Sequence, residues 1–192
     1  VVTASADVVL CAGNITTLSA TGATAYSWSP ATGLSASNGS SVNANPAATT
    51  TYTVTGSDDN GCAATDEVTI TVNPLPVVTA SADVVLCAGN TTTLTATGAT
   101  AYSWSPTTGL SASNGSSVNA NPAATTTYTV TGTDGNGCAA TDAVTVTVNP
   151  LPNVTLAGFS AVCSNAAAFT LNGGAPAGGT FSGPGVTANT FN

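Results

Sequence analysis

Residues 50–72 read TTYTVTGSDDNGCAATDEVTITV. Tyr52 and Val54 alternate with Thr51, Thr53 and Thr55, and Val68, Ile70 and Val72 alternate with Thr69 and Thr71. A period of two puts alternate side chains on opposite faces of an extended chain, so both runs read as strands with one buried face. Between them, Asn60-Gly61 is a turn signal that fits a hairpin. The same reading extends outward. Leu18 and Ala20 alternate with Thr17 and Ser19, and Tyr26 and Trp28 alternate with Ala25, Ser27 and Ser29. Thr21-Gly22, Ser29-Pro30, Asn38-Gly39, Asn45-Pro46 and Asn73-Pro74 punctuate the runs. About seven short strands with such spacing predict a small antiparallel β-sandwich.

The unit then recurs. Residues 1–76 and 77–152 differ only at Ile15/Thr91, Ser19/Thr95, Ala31/Thr107, Ser57/Thr133, Asp59/Gly135, Glu67/Ala143 and Ile70/Val146. Ile15, Ser19 and Glu67 share the outward parity of their strands, and three more positions fall in or beside turns. Only Ile70/Val146 falls on the inward parity, where one methylene is lost. Residues 153–192 begin a divergent third unit. Cys163 lies 11 residues after Pro152, as Cys87 lies 11 after Pro76, and Phe169, Leu171 and Phe181 continue a strand-like pattern. This segment stops near the position matching Asn45 of the first unit. We expect the chain to continue beyond it; the other reading is a half-domain completed by a neighbour's strand. Asn73-Pro74-Leu75-Pro76 and Asn149-Pro150-Leu151-Pro152 are extended, semi-rigid linkers between units.

Composition excludes several functions. The 192 residues contain no Lys, Arg, His or Met, and eight acidic residues set a net charge of −8. Without cations to neutralise phosphate, binding to DNA, RNA or an anionic membrane surface is not expected. No stretch approaches the ~20 apolar residues of a membrane-spanning helix, so direct membrane insertion is not expected either. A Ser or Cys nucleophile would lack its ordinary base, and the acids lie in turns or at strand edges, so no enzyme is expected. Cofactors are not expected. The acidic turn Asp58-Asp59-Asn60-Gly61 with Asp66 and Glu67 offers oxygen ligands for calcium, against the plainer reading of a hairpin turn. The second copy keeps Asp134, Asn136 and Asp142 but has Gly135 and Ala143.

The cysteines are Cys11, Cys62, Cys87, Cys138 and Cys163. The first four fall at equal offsets within the two full units (62 − 11 = 51; 138 − 87 = 51). These offsets suggest one disulfide inside each unit, Cys11–Cys62 and Cys87–Cys138, with buried free thiols as the alternative. A closed loop of that length stabilises by roughly 4 kcal/mol in the chain-entropy model and implies an oxidising compartment outside the cytoplasm. Trp28/Trp104 and Tyr26/Tyr102 form either a sugar-stacking platform or, on the alternating face, the core beside such a disulfide. Tyr52/Tyr128 are expected to pack against the turn before their strand. Asn14, Asn38, Asn90, Asn114 and Asn153 head N-glycosylation triplets, which chance explains in a chain so rich in Asn and Thr.

The run DVVLCAGN, AYSWSP, NPAATTTYTVTG, NGC and AVTVTVNP resembles the immunoglobulin-like and PKD-like repeats of very large secreted proteins of Bacteroidota. Those proteins include gliding-motility adhesins and polysaccharide-degrading enzymes exported by type IX secretion. The resemblance covers residues 1–152, with 153–192 as a divergent relative. It implies an extracellular, surface-exposed, rod-like array of immunoglobulin-like domains. Its partners would be neighbouring repeats of the same chain or fibre, surface polysaccharide or other cells. Two functions follow as expectations. One is a structural or adhesive repeat region of a cell-surface adhesin or extracellular filament. The other is a carbohydrate-binding or spacer module of a secreted polysaccharide-degrading enzyme. Near identity of the two copies favours the first.

Overall fold

A computed structural model describes residues 1–158, 167–184, 186–187 and 190–191. Cys163 lies outside the described residues. The first unit contributes β1 (Thr3–Ala4), β2 (Val8–Cys11), β3 (Thr16–Thr21), β4 (Ala25–Ser29), β5 (Ser41–Ala44), β6 (Thr50–Ser57) and β7 (Ala63–Asn73). They form two sheets, β1-β3-β5 and β2-β7-β6-β4. The chain crosses between the sheets within residues 4–8, so β1 pairs antiparallel with β3 while β2 runs parallel to β7. The sandwich is therefore antiparallel except at this edge. Asp7 sits at the crossing, and its carboxylate accepts the Thr69 backbone N–H at 2.8 Å.

The second unit repeats this arrangement. Its strands are β8 (Thr79–Ala80), β9 (Val84–Cys87), β10 (Thr92–Thr97), β11 (Ala101–Ser105), β12 (Ser117–Ala120), β13 (Thr126–Thr133) and β14 (Ala139–Asn149). Its sheets are β12-β10-β8 and β11-β13-β14-β9. Beyond it, the described residues include the two-residue strands β15 (Thr155–Leu156), β16 (Phe169–Thr170), β17 (Gly174–Ala175), β18 (Val186–Thr187) and β19 (Thr190–Phe191).

The alternation reads out as burial. Leu18, Ala20, Trp28, Val42, Ala44, Tyr52, Val54, Val68 and Ile70 form one core, and their counterparts from Leu94 to Val146 form a second. Ile15, Ser19, Ala31, Asp59 and Glu67 are exposed, and Ser57 is half-buried. Ile70 and Val146 alone among the differing positions are fully buried. A change of one methylene is what a packed core absorbs at small cost.

Candidate functional site: the junction between repeats

β2 brings Cys11 alongside Asn73, the last residue of β7, and Ala12 donates its N–H to the Asn73 carbonyl at 2.8 Å. Cys11 therefore sits at the pole of the first unit where the linker leaves. Cys62 immediately precedes β7, at the opposite pole. Eleven residues of strand separate those poles by about 35 Å. A disulfide needs Cα atoms within about 7 Å, so the expected Cys11–Cys62 pairing is ruled out by the length of β7. Cys87–Cys138 fails for the same reason across β14.

The pairing found joins the two units. Cys11 is bonded to Cys138, with Cα atoms 5.5 Å apart and a sequence separation of 127. Cys62 and Cys87 are exposed free thiols. The second unit presents Cys138 at the pole where the linker arrives. Val77 and Val78 of that arriving chain lie against Gly98 and Gly132, which belong to the same pole. The hairpin that carries Cys138 is tied internally. The Asp134 carboxylate accepts the N–H groups of Asn136 and Cys138, both at 2.9 Å, and the Asp134 N–H donates to the Cys138 carbonyl at 2.9 Å. Asp58 holds Cys62 through the same contacts in the first unit.

Burial follows the same contact. Cys138 is fully buried while its counterpart Cys62 is exposed; Cys11 is half-buried while its counterpart Cys87 is exposed. Asp134 and Ala140 are half-buried where Asp58 and Ala64 are exposed. The sequences match at these positions, so the differences arise from the junction.

The remaining candidates have structural roles. Trp28 is 3% exposed, and its Nε1–H donates to the Gly39 carbonyl at 2.9 Å. Half-buried Tyr26 closes its hydroxyl onto the N–H and carbonyl of Ala23, both at 2.8 Å. Trp28 lies in the core with Tyr26 packed against it, which is the core arrangement of the two expected. No disulfide accompanies Trp28: Val54, two residues after Tyr52, stands where immunoglobulin domains carry a core cysteine. Tyr52 is buried, but its hydroxyl donates to the Thr32 carbonyl at 2.8 Å, reaching the loop after β4 and not the turn before its own strand. Burial pushes the Tyr52 and Tyr128 hydroxyls above the ordinary tyrosine pKa. In the acidic turn, Asp58 caps the hairpin, while Asp66 accepts N–H groups from Ala4 at 2.8 Å and Glu67 at 2.9 Å. These backbone bonds hold its carboxyl below the usual range. Among the described residues, no three His, Cys, Asp or Glu side chains converge to hold a metal ion.

The fold and junction define a tandem pair of immunoglobulin-like β-sandwiches, linked by both backbone and disulfide. Residues 75–150 match the family described as "Ig-like domain CHU_C associated". The first unit is the same sequence but for seven residues. No characterised protein matches the chain in sequence. Among solved structures, the chain is similar to DIP-gamma IG1+IG2 (14% identity, 74% of this chain and 93% of that one, TM-score 0.36). It is also similar to titin domains I67–I69 (12%, 77% and 64%, 0.38) and to insect hemolin (16%, 77% and 46%, 0.39). Similarity this loose carries no functional argument.

Proposed function

We propose that this chain is a non-catalytic stalk: the structural and adhesive repeat region of a secreted cell-surface adhesin or extracellular filament, of the kind found in Bacteroidota. The observation that supports this reading is the Cys11–Cys138 bond across the junction. Each junction it closes has two covalent tethers, the proline-rich linker and the disulfide, which restrict the hinge that a single linker would leave free. The bond also redirects load. Tension applied at the chain ends passes from Cys11 directly to Cys138, bypassing the 126 residues between them (138 − 11 − 1 = 126). A protein that holds a tip away from a surface gains from this; a catalyst does not. Export fits the disulfide, which persists in oxidising surroundings. The family match of residues 75–150 supports the Bacteroidota setting, and gliding motility and type IX secretion enter through that kinship alone.

Single-molecule stretching tests the stalk. Without reductant, the 126 bypassed residues should contribute no extension. With reductant, they should add roughly 430 Å at about 3.4 Å per residue. Full extension without reductant would remove the support for a load-bearing role. Retention of the oxidised chain on an immobilised polysaccharide would instead favour the carbohydrate-binding alternative.

A further inference from the structure

We infer that Cys62 and Cys87 are half-sites for further units of this kind, continuing a disulfide ladder in which each unit bonds the next. This goes beyond the stalk reading, since covalent continuation would hold whatever the array carries. Cys87 is the counterpart of Cys11, and Cys62 the counterpart of Cys138 (11 + 76 = 87; 62 + 76 = 138). The one junction between full units bonds the β2-type cysteine of one unit to the hairpin cysteine of the next. Applied once more in each direction, that rule leaves Cys87 waiting for a following unit's hairpin cysteine and Cys62 for a preceding unit's β2-type cysteine. Both thiols are exposed, at opposite poles, as the rule requires.

Both halves are already shaped. Asp58 fixes the Cys62 hairpin with the contacts that Asp134 makes to bonded Cys138. Cys87 is held by parallel pairing to Asn149 and by the Ala88 N–H to the Asn149 carbonyl, as Cys11 is held at Asn73. Little reorganisation is left for docking, and a four-residue linker keeps the two sulfurs at high effective concentration. Bond formation is a thiol–disulfide exchange. The two thiols lose two protons and two electrons to a low-molecular-weight or protein disulfide, which is reduced to two thiols, through a mixed-disulfide intermediate.

The test adds a unit to the full chain. A copy of residues 1–76 is inserted after Pro152, with Cys163→Ser in the background of both this chain and its parent. The parent should show two free thiols (4 − 2 = 2), and the extended chain should also show two (6 − 4 = 2), although it has two more cysteines. Cleavage before aspartates places Cys11, Cys62, Cys87 and Cys138 on separate peptides, residues 7–57, 59–65, 83–133 and 134–141. The diagnostic product is 83–133 linked to 59–65. Linkage of 7–57 to 59–65, of 83–133 to 134–141, or four free thiols would overturn the inference. Should circular dichroism show the extended chain unfolded, the parent decides. In a glutathione redox buffer it should form head-to-tail oligomers through Cys87–Cys62 bonds. Random Cys62–Cys62 and Cys87–Cys87 pairs, or no oligomers, would count against it.

Discussion

Six of the eight carboxylates accept backbone N–H groups: Asp7, Asp58 and Asp66 in the first unit, Asp83, Asp134 and Asp142 in the second. A chain without cations uses its own amides as the positive partners. Asp66 and Asp142 span the sandwich, each tying the short first strand of its unit to the last. Both are held below the usual carboxylate range, first by the N–H of Ala4 or Ala80 and then by that of Glu67 or Ala143. A folded-state pKa below the unfolded one gives stability that is present above the unfolded value of ~3.9 and lost as pH falls through the folded value. Urea midpoints measured from pH 6 to pH 2 should therefore drop below about pH 4, and the drop should shrink in the Asp66→Asn, Asp142→Asn double variant. The tyrosines behave oppositely. Their raised pKa gives stability that is full below the ordinary value near 10 and lost as pH rises through the folded one. Tyr52→Phe removes the bond to Thr32 and should cost about 1 kcal/mol in chemical denaturation, leaving the Thr32 carbonyl to water or unmet.

The inward face was legible wherever alternation decides it: Leu18, Tyr52, Val54, Val68 and Ile70 alternate with polar neighbours, mostly Thr and Ser, and all five are fully buried. The cysteine partners were not legible. In a perfect tandem repeat, pairing within a unit and pairing with the next unit occur at equally regular offsets, 51 and 127 residues (51 + 76 = 127), so spacing cannot separate them. What separates them is the parallel course of β2 beside β7, which carries Cys11 to the pole away from Cys62. A single strand pair fixed by the crossing at Asp7 is invisible to period-two alternation. Two turns at opposite poles of the second unit carry a further prediction. At Gly98, with φ +94°, a Cβ would collide with the Val77 carbonyl oxygen, a backbone atom that cannot swing aside. At Gly89, with φ +86°, a Cβ would meet nothing. Gly89→Ala should cost only the left-handed strain of about 1–2 kcal/mol. Gly98→Ala should cost more and displace the start of the second unit, seen as a larger fall in melting temperature and new thiol reactivity at Cys138.

At the scale of the molecule, the two units are held by a covalent ring that closes through the linker. A bond enclosing 127 residues disfavours the unfolded chain by about 5 kcal/mol in the chain-entropy model. That figure describes global unfolding; the effect on the folded array is that cutting the linker no longer separates the units. The sequence makes this directly measurable, because the chain contains no Lys or Arg and trypsin has nowhere to cut. Pro76→Arg introduces a single site at the linker's end, ahead of Val77. After complete trypsin digestion, a non-reducing gel should show one species at the uncut position, and addition of reductant should release fragments 1–76 and 77–192. In the Cys138→Ser version of the same variant, the fragments should part without reductant. If the digested Pro76→Arg chain separated with its cysteines intact and oxidised, the disulfides would lie within units, the junction would have a single tether, and the load path from Cys11 to Cys138 would not exist.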